Sequence, residues 1–187
     1  MGGVNSSPDY LRTMGIGLFP SGVVTDEIHQ GGIVSIYYFG AIVGCFIGGW
    51  FADRIGRING VVVGAAFAVV GGALQAASTS SDFILVARVI TGLGTGALIA
   101  IVPVYIAEVS TKEHRGSFLG YVFIANYLGI STAYWINFGL QFMDGGLSPF
   151  RWKFLLGFQC VPVLIVLLGI KLLPDSPRYL VSAARFD

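Results

Sequence analysis

The sequence predicts an all-α membrane protein with about five transmembrane helices. Apolar residues make up 55% of its 187 residues and charged residues only 11%, and the mean hydropathy is +0.77. Two long runs, residues 28–52 and 58–81, contain no Asp, Glu, Lys or Arg. A soluble chain must cover its surface with charge, so this composition argues against a soluble enzyme and indicates a chain that lies in a bilayer.

Five apolar stretches are long enough to cross a membrane. A hydrocarbon core about 30 Å thick requires roughly 20 apolar residues of helix, because the backbone must satisfy its own hydrogen bonds there. Short polar connections separate the stretches, so residues 1–173 are expected to form one transmembrane domain and residues 174–187 the start of a cytosolic loop. The predicted spans cover residues 32–52, 60–80, 84–107, 117–139 and 153–173.

The Lys and Arg residues of the connections predict the orientation of the chain. An odd number of spans places the two ends of the chain on opposite sides of the membrane. One side of the membrane holds residues 53–59, 109–116 and 174–187. This side carries seven basic residues, with Lys171 counted at its edge, and the other side carries three. We therefore expect the first of these sides to face the cytosol.

The chain lacks the patterns that several other functional classes require. Its net charge is +1 without a Lys/Arg-rich run, so nucleic acid is not an expected partner. Cys45 and Cys160 lie inside apolar runs, without the spacing of a metal or redox site, and are interpreted as packing residues. The sequence therefore predicts no metal, no cofactor and no enzymatic activity.

Glycines recur at every fourth position in two of the predicted spans. Small residues at this spacing let helix backbones approach closely, which matters in lipid because packing drives helix association there. We therefore predict that these glycines serve helix packing. They are Gly40, Gly44 and Gly48 in the first span and Gly92 and Gly96 in the third.

Three motifs together resemble the sugar porter family of the major facilitator superfamily. They are G-x-x-x-D-R-x-G-R at residues 49–57, the R-x-x-x-G-x-G-x-G…P-x-Y-x-x-E…R-G run at residues 88–116, and P-D-S-P-R-Y-L at residues 174–180. The segment A-Y-W-I-N-F-G at residues 133–139 further resembles fungal members. The resemblance implies a partial major facilitator fold, namely the second to sixth helices of a twelve-helix protein.

The resemblance also implies a function. Family members move a sugar or a related polyhydroxy compound by alternating access between two six-helix halves. For the full-length protein this implies either secondary active transport, with proton coupling, or facilitative transport. The expected location is the plasma membrane. The first span and the second half are absent from this chain, which is therefore expected to be a fragment. The alternative is a non-transporting nutrient sensor or an inert truncated product on the same fold, and a long cytosolic tail in the complete gene would favour the sensor.

A cytosolic charge network is the first candidate site that the resemblance implies. Such a network latches the inner side shut, and Arg57 and Glu108 are its expected direct pair. Exposed ion pairs are worth about 0–1 kcal/mol each, so a network of them gives a modest and reversible bias. The other interpretation is topogenic positive charge, which leaves the acidic residues without a role. The predicted members are Asp53, Arg54, Arg57, Glu108, Arg115 and Arg178.

Arg88 is the second candidate, because it lies within a predicted span. An arginine in a bilayer is costly and usually faces a cavity or a partner, although snorkelling towards the outer end is an alternative. In proton-coupled family members the matching arginine faces an aspartate of the first span. The resemblance therefore implies that Arg88 is the proton-coupling partner.

The substrate site is the third candidate. Family members commonly carry a glutamine eight residues after the arginine of the Arg-Gly pair, and Phe123 occupies that position here. Asn126 is the nearest amide and could both donate to and accept from a sugar hydroxyl, or be satisfied by a neighbouring helix. The tentative substrate residues are Phe123, Asn126 and Ile130. A hexose, a polyol, a disaccharide and a cyclitol such as quinate all fit the resemblance.

Overall fold

Helices dominate the structure, a computed structural model that describes residues 7–18, 23–142 and 149–183. In chain order they are α1 (Pro8–Thr13), α2 (Glu27–Ile55), α3 (Arg57–Ala77), α4 (Ser81–Val109), α5 (Arg115–Gln141), α6 (Pro149–Phe158), α7 (Cys160–Gly169) and α8 (Pro177–Ala183). Two short strands, β1 (Gly17–Leu18) and β2 (Val23–Val24), pair antiparallel before α2, and a 3₁₀ turn at Ile170–Leu172 follows α7. Residues 184–187, which include Arg185 of the basic side, lie outside the described residues.

Four helical segments of the described chain are long and apolar enough to cross a membrane. They are Glu27–Ile55, Arg57–Ala77, Ser81–Val109 and Pro149–Leu172. Helix α5 is 27 residues long but carries polar side chains along its length, among them Asn126, Thr132 and Asn137, and it is not one of the four. A span at residues 117–139 therefore stays a prediction.

The last apolar segment is not one continuous helix. Helix α6 ends at Phe158, Gln159 forms a turn, and α7 begins at Cys160. Pro162 explains the break, because proline has no amide hydrogen to donate to the carbonyl four residues earlier, which belongs to Phe158. The break places the side chain of Gln159 at a bend inside the apolar segment.

Glycines bring α2 and α4 into close contact. A Cβ atom on Gly40 would lie 2.7 Å from the carbonyl oxygen of Val89, which is closer than atoms can pack. From the other helix, a Cβ on Gly92 would lie 3.0 Å from the backbone nitrogen of Ala41. The same holds for the rest of the predicted set, because a Cβ on Gly44, Gly48 or Gly96 would also overlap the facing helix. These five glycines therefore define a backbone-to-backbone contact.

Of the two buried apolar clusters among the described residues, the larger lies where residues 8–18 fold across the ends of the spans. We call residues 8–18 the N-terminal cap. Trp152 of α6 is completely buried against it, with its Nε1 donating to Asp9 Oδ2 at 3.0 Å and its ring meeting that of Tyr10 edge to face. The cluster consists of Tyr10, Leu11, Met14, Ile16, Ile33, Ile84, Trp152 and Leu156. The cap is thus fixed to α2, α4 and α6 by apolar burial.

Candidate functional site

Arg57 and Glu108 form an ion pair with two hydrogen bonds between α3 and α4. Arg57 Nη2 donates to Glu108 Oε1 at 3.1 Å and Nε donates to Oε2 at 3.2 Å. The two side chains are 13% and 9% exposed, so water screens the pair only in part. Nη1 of the same guanidinium donates to Asp53 of α2. Bidentate pairing fixes both distance and orientation, so Arg57 ties three helices together.

Helix α8 joins this group through the residues that precede it. Ser176 donates its hydroxyl to Glu108 Oε2 at 2.6 Å. Asp175 Oδ1 accepts from the backbone nitrogen of Arg57 at 3.0 Å and from its neighbour Ser176 at 2.8 Å. We call Asp53, Arg57, Glu108, Asp175 and Ser176 the charge cluster. It connects the α2–α3 turn, the end of α4 and the start of α8.

Gly56 allows the carboxylate of Asp175 to reach the start of α3. Its φ of 96° and ψ of 157° lie in a region that only glycine adopts readily. A Cβ at this position would also overlap the Asp175 carboxylate. The first amides of a helix have no partner within the helix and carry partial positive charge, which a carboxylate satisfies. The contact of the Asp175 carboxylate with the start of α3 therefore requires glycine at position 56.

The other predicted members of the network take different positions. Arg54 stacks on Trp50, with its guanidinium carbon 4.5 Å from the ring centroid, and its carbonyl accepts from the hydroxyl of Tyr179 at 3.3 Å. Arg178 is exposed and lines an open cleft together with Asp53, Arg57 and Glu108. Arg115 is exposed at the start of α5 and does not line this cleft.

Arg88 is completely buried within α4, near the end opposite Arg57. Its Nη2 donates to the hydroxyl of Tyr10 over a long 3.5 Å, and its Nε and Nη1 have no partner among the described residues. Burial raises the pKa of Tyr10, and the nearby guanidinium offsets part of that rise. Arg88 therefore does not snorkel to the surface and lies beneath the N-terminal cap.

A cavity of about 310 Å³ lies beside Arg88 between the helices. Two contacts order its polar wall. Gln75 Nε2 donates to Thr91 Oγ1, and Arg151 Nη2 donates to Asn137 Oδ1 at 3.1 Å. The polar side chains that line it include Tyr37, Gln75, Arg88, Thr91, Asn137 and Gln159. The cavity therefore combines one guanidinium with several amides and hydroxyls.

The tentative substrate residues do not line this cavity. Phe123 and Ile130 are 64% and 47% exposed on α5, and Asn126 is exposed between them. None of the residues of α5 is buried. The helix contributes Ala133, Tyr134 and Asn137 to the cavity instead. The structure thus separates the predicted substrate residues from the pocket that contains Arg88.

Comparison with known proteins identifies the family. The model of the family described as "Sugar (and other) transporter" matches residues 2–187. The chain belongs to this transporter family. Its members are transporters, so the prediction that the chain is not an enzyme is confirmed, as is the prediction of an integral, multi-pass membrane protein.

Curated members of the transporter family align with nearly the whole chain. The MFS-type transporter criB of Aspergillus cristatus is 36% identical over 90% of this chain and 39% of its own length. The high-affinity glucose transporter of Kluyveromyces lactis is 33% identical over 87% and 29%. The galactose-proton symporter of Escherichia coli is 30% identical over 82% and 32%. The chain therefore spans about a third of the length of these relatives.

Solved structures of xylose transporters show the same fold. The inward-open xylose transporter XylE from E. coli superposes with a TM-score of 0.76 at 22% identity, over 96% of this chain and 47% of that protein. A crystal structure of a D-xylose-proton symporter gives a TM-score of 0.77 over 98% and 47%. The prediction of an all-α, partial major facilitator fold is therefore confirmed.

Four residues of the two polar regions are not singled out by the sequence patterns. Asp175 and Ser176 lie inside the quoted motif at residues 174–180, but their partners are distant in sequence. Gln75 and Gln159 are glutamines within otherwise apolar stretches. An isolated amide in an apolar stretch is a usable signal, because burying a polar group is costly unless it finds a partner, as Gln75 does in Thr91.

Proposed function

We propose that the full-length protein moves a sugar or related polyhydroxy compound across the membrane by alternating access. Membership of the transporter family supports this proposal, as do relatives named as glucose transporters and as a galactose-proton symporter. The observation that carries it is the charge cluster, in which Arg57 and Glu108 pair directly at the ends of two helices. Ion pairs at helix ends can break and form again without unfolding either helix.

The charge cluster acts in this proposal as a latch on the cytosolic side. Hydrogen bonds between charged groups contribute about 1.5–3 kcal/mol each, and exposed pairs about 0–1 kcal/mol. The Arg57–Glu108 pair is neither fully buried nor fully exposed, so its contribution lies between these limits. That is enough to bias two states and too little to lock one of them. Because Ser176 also binds Glu108, opening the latch requires α8 to move away from α4.

Arg88 is the proposed proton-coupling residue. Its buried N–H groups need an acceptor that the described residues do not supply. An acidic side chain from another part of the full-length protein could pair with Arg88 when ionised and release it when protonated. Such a pair links the protonation state to the position of α4.

The exposed face of α5 is the proposed wall of the substrate path. It carries Phe123, Asn126 and Ile130 on a helix with no buried residue. An exposed amide between apolar side chains suits a ligand with both hydroxyl groups and C–H faces. A second helical half would provide the opposite wall.

Uptake of labelled hexoses and polyols in a transport-deficient host tests the proposal. The complete gene product should give saturable uptake that a protonophore abolishes. The 187-residue chain should insert into the membrane without supporting uptake, because one wall of the path is missing. A complete product that inserts correctly and moves no polyhydroxy compound would exclude transport, and uptake insensitive to protonophore would exclude proton coupling.

A further inference from the structure

An apolar groove of about 200 Å³ lies between α2 and α3. It shares no lining residue with the cavity beside Arg88. Every residue that lines it is a glycine, an alanine or a larger apolar residue, and its floor is formed by Leu93 and Ala97 of α4. We call this feature the α2–α3 groove. Its lining offers no hydrogen-bonding side chain, so an occupant must be apolar where it enters.

Glycines on both helices keep the α2–α3 groove open. The two helices touch near the turn that joins them, where a Cβ on Gly60 would lie 3.1 Å from the Cβ of Ala52. Further from the turn each helix packs on α4 instead, with Gly48 and Gly64 both against Ala97. Because glycine has no side chain, the space between the two helices stays empty down to α4.

Four larger side chains form the rims of the α2–α3 groove. Ile47 and Phe51 stand on α2, and Val63 and Phe67 stand on α3. Each of them is between 38% and 49% exposed, so part of its apolar surface is left uncovered. Both helices are apolar enough to cross a membrane. The groove must therefore be covered either by lipid or by another helix.

The length of the α2–α3 groove matches one leaflet of a bilayer. Gly44, the lining residue of α2 furthest from the turn, lies 11 residues before the end of the helix at Ile55, which is about 16 Å along its axis. Half of the hydrocarbon core is about 15 Å thick. A transmembrane helix would span the whole core and, at about 10–12 Å across, would rest on the rims without filling the groove. The groove therefore fits one acyl chain of a lipid in the leaflet nearer the α2–α3 turn.

Arg54 lies at the level where the headgroup of such a lipid would be. It is exposed in the last turn of α2, one turn after Phe51. Its guanidinium stacks on the ring of Trp50, and no carboxylate of the described residues lies within ion-pair distance of it. A guanidinium can donate two parallel hydrogen bonds to a phosphate, and tryptophan is enriched at the level of lipid headgroups. The cation at this end of the groove thus complements a phosphate.

We infer that the α2–α3 groove and Arg54 together bind an anionic phospholipid of the cytoplasmic leaflet. One acyl chain lies in the groove against Leu93 and Ala97, and the phosphate accepts hydrogen bonds from Arg54. The distribution of Lys and Arg predicts that this end of α2 faces the cytosol, where the membrane surface carries anionic lipids. A zwitterionic lipid has the same chains but no net charge, so its attraction to Arg54 is weaker.

This lipid site is independent of the proposed transport function. None of its residues belongs to the charge cluster, and none lines the cavity beside Arg88. A protein that transports nothing would bind the lipid in the same way. The test therefore measures contact with lipid and not uptake.

Photocrosslinking of the complete gene product in phosphatidylcholine nanodiscs tests the inference. One probe is phosphatidylglycerol with a diazirine in an acyl chain, and the matched probe is phosphatidylcholine with the same labelled chain. Mass spectrometry of peptides locates the adducts that light produces. The phosphatidylglycerol probe should label residues 44–67 about fivefold more than the phosphatidylcholine probe, the factor expected for one basic residue near an anionic headgroup.

Two variants separate the headgroup contact from the chain contact. Arg54→Gln should abolish the preference for phosphatidylglycerol, whereas Lys112→Gln removes an exposed positive charge from the α4–α5 connection and should preserve it. Val63→Phe should fill the groove and reduce labelling by both probes. Val86→Phe makes the same change at an exposed position of α4 outside the groove and should leave the labelling unchanged. Circular dichroism checks that each variant keeps its helices.

Three results would overturn the inference. The first is equal labelling of residues 44–67 by the two probes. The second is an equal loss of preference in Arg54→Gln and Lys112→Gln, which would reflect general surface charge. The third is labelling of the groove in the 187-residue chain but not in the complete gene product, which would show that another helix covers the groove.

Discussion

Asp175 caps the first turn of α3 although 118 residues separate it from Arg57 in the sequence. Its Oδ1 lies 3.0 Å from the backbone nitrogen of Arg57, whose side chain binds Glu108. The same arginine is thus held at its backbone by the segment before α8 and at its guanidinium by α4. A displacement of α8 would therefore break the bond between Asp175 and the start of α3, and it would also disturb the ion pair between Arg57 and Glu108.

The first prediction concerns Gly56, where Gly56→Ala should destabilise the α2–α3 turn by about 1–3 kcal/mol. The added methyl group forces a backbone conformation that alanine avoids, and it overlaps the Asp175 carboxylate. Gly49→Ala is the control, because nothing lies within 4 Å of a Cβ there. Thermal unfolding in detergent measures both changes, and equal melting temperatures for the two variants would contradict the role assigned to Gly56.

The second prediction concerns the ion pair. Glu108→Gln removes the charge that Arg57 and Ser176 share, which should weaken the cluster by about 1–3 kcal/mol and favour inward-open states of the full-length protein. Hydrogen exchange of the backbone amides around Ser176 should speed up, with expression largely unchanged. Glu113→Gln is the matched control, because Glu113 is exposed in the α4–α5 connection. Identical exchange in the two variants would rule out a latch at Glu108.

The third prediction concerns helix packing. Gly44→Ala should destabilise the α2–α4 contact by about 1–3 kcal/mol. The added Cβ would lie 2.8 Å from the Cα of Leu93, and a backbone atom can be displaced only if the whole helix shifts. Gly31→Ala in the same helix has open space and should be tolerated. Loss of the folded fraction in increasing denaturing detergent measures the difference. A variant at Gly44 as stable as the one at Gly31 would show that the helices are further apart than described.

The fourth prediction concerns orientation. Single cysteines at Asn59 and Gly145 should react differently with a membrane-impermeant reagent applied to intact cells, and only the Gly145 site should be labelled. The reason is the seven-to-three distribution of basic residues between the two sides of the membrane. Gly145 lies outside the described residues, so the labelling is an independent observation. The reverse pattern would move the charge cluster to the outer side and exclude a cytosolic latch.

The sequence predicted those features that depend on local composition. Runs without charge marked the long helices, because a bilayer imposes both apolarity and length. It could not place the N-terminal cap, because Tyr10 and Trp152 are 142 residues apart and meet through packing alone. Hydropathy also does not predict the helix break at Gln159, because it does not reflect that Pro162 lacks the amide hydrogen needed for a helical hydrogen bond.

The candidate site divides in the same way. The pairing of Arg57 with Glu108 was expected from the resemblance, whereas the part played by Asp175 requires the backbone of α3 and the conformation of Gly56 to be seen. The resemblance places Phe123 by its spacing from Arg115, and Asn126 is the nearest amide to it. The cavity beside Arg88 is lined by a different part of α5, at Ala133, Tyr134 and Asn137. The assignment of Phe123, Asn126 and Ile130 to the substrate site therefore stays a prediction.

The distance in sequence between Asp175 and the helix that it caps has a consequence for synthesis. A ribosome adds about 5–20 residues per second, so roughly 6–24 s pass between the emergence of Arg57 and that of Asp175, 118 residues later. During that interval α4, α5, α6 and α7 are made, while the first amides of α3 have only water or lipid headgroups as acceptors. The nascent α2–α3 hairpin is therefore free to adjust its depth in the membrane until the segment before α8 arrives and fixes it.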